Sequence, residues 1–98
     1  MHYGNDIGAF IETNSRIRRG RPCVAGTGVS VHRIAIWYRM GFLPEEIADR
    51  VGHLSLAQVH AALTYYHAHQ EQIEKDIGAD EAEAEAFEKQ YAAHRAHA

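Results

Sequence analysis

The chain has 98 residues, 46% of them hydrophobic, and a formal net charge of −3. That length and apolar share suit one domain with a buried core, and no apolar run reaches the ~18 residues of a membrane-spanning helix. One cysteine, Cys23, excludes an intrachain disulfide and fits a reducing compartment. "MHYGNDIGAF" lacks the pattern of an export leader, so a cytoplasmic protein is expected. The charge is uneven: residues 1–50 carry seven Arg against five Asp and Glu, net +2, and residues 51–98 carry three Lys and Arg against eight Asp and Glu, net −5. A basic front and an acidic rear suit two different partners, or simply a dipolar solvated surface.

In chain order, residues 8–31 read as extended. "GAFIE" and "PCVAGTGVSV" are short apolar stretches broken by Gly and Pro, as in a strand pair or β-arm. Ser30 is the predicted N-cap of a first helix, with Val31, Ile34, Ala35 and Tyr38 on one face and Ile36, Trp37 and Met40 on the others. Such a helix, apolar all round, is expected to be sandwiched, partly by another subunit. Gly41 ends it. Pro44, Glu45 and Glu46 open a short second helix with Ile47, Ala48 and Val51 inward, closed by Gly52.

"SLAQ", residues 55–58, is a capping box, with Leu54 and Val59 as its hydrophobic staple. The series Leu56, Val59, Leu63, Tyr66, Gln70, Ile73, Ile77 then alternates steps of 3 and 4, predicting one helix from Ser55 to Ile77, about 34 Å long. Gly78 is expected to end that helix and Asp80 to cap another. The last segment runs from acidic to basic with a thin apolar stripe, Ala84, Phe87 and Tyr91, and is marginal alone. The expected fold is therefore mainly α with a short N-terminal β-arm. A β-arm plus tri-helical helix-turn-helix domain spans 1–78 and a helical acidic tail spans 79–98.

The chemistry these residues support is narrow. "RIRRGRPCVAGTG" has neither the spacing nor the lysine of a Walker loop, and GxGxxG is absent. His53, His60 and His67 are seven apart, too far along a helix for one ion, and His94 and His97 have no third ligand nearby, so the histidines read as surface groups. No nucleophile elbow or evident acid–base pair appears, so no catalytic residue, cofactor or metal is assigned. The strongest pattern is the helix-turn-helix, whose three-residue turn, 52–54, contains Gly52. Ser55, Gln58 and His60 at the start of its second helix can reach base edges, Gln58 to adenine for instance. That helix has no Lys or Arg before Lys75, so phosphate contacts fall to Arg16, Arg18, Arg19 and Arg21 of the arm, with Arg33, Arg39 and Arg50. An ordinary helical corner with no nucleic acid remains open.

Taken together, "NSRIRRGRPCVAGTGVSVHRI" and "GFLPEEIADRVGHLSLAQVHAALTYYHAHQEQIEKDI" resemble the domain-of-unknown-function family 433 over residues 13–77. The chain departs from that family's usual string at Ser15 (proline there), at Gly28 (arginine) and at Leu43 (a serine cap, worth about 1 kcal/mol). The resemblance implies a β-arm plus helix-turn-helix fold and an antitoxin-like role of the Vap type beside a PIN-like ribonuclease toxin. Joined to the residue readings above, it gives the expectation of a non-enzymatic, cytoplasmic homodimer that neutralises such a toxin, with binding of its own promoter DNA as an optional further role. On that reading Phe87, Tyr91 and Arg95 of the tail contact the partner, and an arm arginine occludes its active site. The alternatives are a stand-alone helix-turn-helix regulator and an oligomerisation module that binds no DNA.

Overall fold

The computed structural model describes residues 7–13, 16 and 20–96. A helical turn, α1 (Ile7–Phe10), leads into β1 (Ile11–Glu12), which pairs antiparallel with β2 (Cys23–Val24), Ile11 opposite Val24 and Glu12 opposite Cys23. Among the described residues the expected extended arm pairs over two residues per strand. Gly26 and Gly28 both take positive φ (77° and 75°), which turns the chain back so that Val24 N–H donates to Val29 O at 2.8 Å. Thr27 Oγ1 donates to Val24 O and accepts from Val29 N–H, closing the turn. Val31 N–H donates to Pro22 O at 2.9 Å, tying the arm to the first long helix.

Three helices follow as a tri-helical unit: α2 (Val31–Arg39), α3 (Pro44–Val51) and α4 (Leu56–Ala68). Ser30 Oγ accepts from Arg33 N–H at 3.0 Å. Leu43 has no side-chain oxygen to cap α3, but Glu46 reaches back to Leu43 N–H at 2.8 Å, half of a capping box. At α4 the box is complete: Gln58 N–H donates to Ser55 Oγ at 3.1 Å and Ser55 N–H to Gln58 Oε1 at 2.7 Å. Gly41 (φ 98°) and Gly52 (φ 77°) stand at the two corners. The core joins Val24, Val31, Ile34, Ile47, Leu54, Val59, Leu63 and Tyr66 to Ile73 and Ile77. Leu56, expected inward, is 43% exposed. α2 is buried along Val31, His32, Ile34 and Ala35 only, and Ile36, Tyr38 and Met40 face outward.

Two expectations about the long helix are overturned. The helix breaks at His69 (φ −127°, ψ 34°), and a separate α5 (Gln70–Ala96) begins there. His69 N–H closes α4 onto Tyr65 O and Tyr66 O, and its own carbonyl accepts from Ile73 N–H in α5. The change of direction lets Ile73 and Ile77 reach the core, which a straight helix would carry away from it. The apolar series had marked this place with its one polar member, Gln70. Gly78 does not terminate anything: it lies inside α5 with helical φ, although glycine there costs about 1 kcal/mol relative to alanine. The boundary expected at Gly78 therefore falls within one continuous helix.

α5 has 27 residues, about 40 Å of helix. Its first turns pack on α2 and α4, and residues 78–93 are exposed. The projection sets the shape, 65 × 29 × 24 Å with a radius of gyration of 16.2 Å, against about 13 Å for a compact domain of this length.

Candidate functional site

The helix-turn-helix corner presents unfavourable electrostatics to a polyanion. Ser55 and His60 are exposed at the start of α4 and Gln58 is half-buried, but Ser55 and Gln58 spend their oxygens on each other's backbone N–H groups. Bidentate adenine recognition needs the Gln58 carbonyl oxygen, which already accepts at 2.7 Å. The adjoining groove is lined by Glu45, Glu46, Asp49 and His53 with Ala48 and Leu54, three carboxylates where a phosphate would approach. Arg50 lies with its guanidinium 4.6 Å from the Phe42 ring centre and 5.8 Å from that of Trp37, a cation–π stack at the α2–α3 corner.

Arg21 of the arm is engaged away from that corner. Arg21 makes a two-pronged pair with Asp80 of α5, Nη1 to Oδ2 at 2.7 Å and Nη2 to Oδ1 at 3.1 Å. The guanidinium's hydrogen bond holds Asp80 below the usual carboxylate range. Arg16 is exposed. Arg18 and Arg19 lie outside the described residues, as does the side chain of Arg95.

Among the described residues, the Arg21–Asp80 pair is one of three polar latches that fix the direction of α5. Tyr66 Oη donates to Glu74, and burial first, then this bond, pushes the phenol up to about 12. His32 Nε2 meets Asp76 Oδ2 at 2.9 Å, and Gln72 donates to the other carboxylate oxygen at 2.8 Å. The His32 bond keeps Asp76 below its ordinary range. His32 is only 4% exposed and its Nδ1 has no partner. The surface reading of the histidines fits His53, His60, His67 and His69, which are exposed, and fails for His32, which sits on the buried face of α2. Its register beside Val31, on the core side of a predicted helix, was the available signal. Among the described residues no three His, Cys, Asp or Glu side chains are placed to share a metal ion.

Beyond the latches, α5 carries its apolar stripe out of the globule. Ile73, Ile77, Asp80, Ala84, Phe87 and Tyr91 alternate steps of 4 and 3 and fall within an arc of about 80°. Ile73 and Ile77 are buried, and Asp80 marks the exit. Ala84 then lies exposed, with Phe87 at 67% and Tyr91 at 56%. The candidate tail residues Phe87 and Tyr91 thus share one face. Of the DNA-binding candidates, Ser55, Gln58 and His60 lie at the start of α4, whereas Arg21 is held by Asp80 of α5.

A family model described as "Protein of unknown function (DUF433)" matches residues 11–66, from β1 to the last buried residue of α4. The chain belongs to the DUF433 family. The matched span holds the arm and the tri-helical unit of this DUF433 protein and stops short of α5. Neither the curated proteins nor the solved structures yield a match to it.

Proposed function

We propose that this DUF433 protein is an antitoxin-like binding module that neutralises a PIN-like ribonuclease, with the distal half of α5 as the holding surface. The observation that carries the reading is the stripe of α5, which is core as far as Ile77 and continues with Phe87 and Tyr91 exposed. Aromatic side chains of this size on a projecting helix are the usual anchors of helix-in-groove recognition. An arm arginine occludes the partner's active site, and Arg21 is the one the structure shows committed elsewhere, to Asp80. The module has no catalysis of its own and works in the cytoplasm as a homodimer. The outward Ile36 and Met40 of α2 support self-association, and light scattering at about micromolar concentration tests it, with a Met40→Glu variant expected to be monomeric.

Co-expression with the products of adjoining genes tests the main reading. A stable complex with a ribonuclease, and loss of its RNA cleavage, are expected. Truncation after Ala82, which keeps the Asp80 latch, should release the partner while the globule stays folded. A complex that survives this truncation removes the assignment, and adjoining genes encoding no ribonuclease remove the function. Promoter binding is a second reading, favoured by the α3–turn–α4 geometry and opposed by Glu45, Glu46 and Asp49. A promoter fragment unbound at low salt ends it.

A further inference from the structure

We infer that the distal half of α5 imitates one strand of a nucleic-acid backbone and docks on the phosphate-binding face of its partner. The inference rests on the reading of α5 as the holding surface and specifies the chemistry of what it meets.

Charge density is the first observation. With Asp80 paired to Arg21, Glu81, Glu83, Glu85 and Glu88 place four carboxylates over seven residue steps, about 10 Å of helix, or one charge every ~3.5 Å. One strand of a duplex carries one charge per about 3.4 Å of axis. Lys89 is the one cation between residues 80 and 91, and it lies 3.6 Å from Glu85. Among the described residues no cation pairs with Glu81, Glu83 or Glu88.

The second observation is how these charges sit around the apolar line. A shallow groove along α5 is formed by Asp80, Glu83, Ala84, Phe87 and Glu88, so the exposed Phe87 ring is bordered by carboxylates. A second copy is a poor occupant. Stripe-to-stripe packing would bring two acidic flanks, each with a net charge of −3 over residues 81–91, against one another. The fitting occupant is a groove with an apolar floor and a Lys/Arg rim. Any protein that grips a polyphosphate must present such cations, and association would be steered and salt-sensitive. The carboxylates give encounter rate and register, and Phe87 and Tyr91 give lifetime.

The test uses the isotope-labelled full chain and, as probe, a synthetic amphipathic helix of leucine and lysine, followed by NMR and anisotropy. Shifts confined to residues 80–93 are expected. Affinity should fall at least about tenfold between roughly 50 and 500 mM salt. Phe87→Ala with Tyr91→Ala should weaken it by about tenfold with charge unchanged. Both side chains are exposed, so this variant should keep the wild-type circular dichroism. A leucine–glutamate helix should not bind. Shifts centred on Glu45, Glu46 and Asp49, or binding indifferent to the double substitution, would overturn the inference. So would a dimer that the double substitution dissolves, because the occupant is then a second copy. The outcomes also separate this inference from the function above. Peptide binding as described with no ribonuclease inhibited refutes the function and leaves the surface. Inhibition that survives the double substitution refutes the surface and leaves the function.

Discussion

Removing the Asp76 carboxylate should destabilise the fold far more than removing the histidine it holds. In Asp76→Ala, His32 Nε2 loses its 2.9 Å partner while its ring stays 5% exposed beside an Nδ1 that already lacks one. A buried hydrogen bond to a charged group contributes about 1.5–3 kcal/mol, and the 28% exposure of Asp76 puts this one near the lower half, about 2. Alanine's better helix propensity in α5 offsets about 0.5, leaving about 1.5 kcal/mol of destabilisation. For a domain of this size that is a fall in Tm of about 6–12 °C. His32→Leu fills the same space with apolar atoms and removes the orphaned nitrogen, while Asp76 keeps Gln72 and water, so it should lie within about 0.5 kcal/mol of the parent. Urea unfolding followed by circular dichroism reads both variants and their combination, which should recover most of the loss. The sign of the pH effect follows from the lowered Asp76. Between its folded pKa and its ordinary value near 3.8 the unfolded chain binds more protons. The latch is therefore at full strength above about pH 4 and is lost as pH falls through the folded value. The reasoning fails if His32→Leu costs as much as Asp76→Ala, or if the latter leaves acid stability unchanged.

Gly78→Ala should stabilise by about 0.5–1 kcal/mol, because the position is helical and a Cβ there meets nothing within 4 Å; a loss of stability would restore Gly78 as a helix end. Ser55→Ala should cost about 1 kcal/mol in the same urea assay through the lost cap, and no change would mean that the box is not formed in solution. One tyrosine should titrate near 12 by absorbance and vanish in Tyr66→Phe. Because the folded value is raised, this latch is complete below the ordinary value of 10.0 and fades as pH rises through about 12; a tyrosine set titrating uniformly near 10 refutes it.

Local signals carried the first two-thirds of the chain. Ser30, Pro44, the Ser55–Gln58 box, Gly41 and Gly52 act within four residues of themselves, so the sequence alone determined where α2 and α3 lie and where α4 begins. The line of Phe87 with Tyr91 was likewise legible, because helical periodicity is local. What tertiary structure decided is everything set by partners far along the chain. His32 and Asp76 are 44 residues apart and Arg21 and Asp80 are 59 apart, and no spacing rule connects them. The turn at His69 also follows from docking. It carries no glycine or proline, and the burial of Ile73 and Ile77 against the tri-helical core favours the break over a straight helix. Gly78 stays helical for the complementary reason. Its φ is allowed in either hand, and the latches of α5, with Ile77 beside it, supply the direction that its own backbone does not.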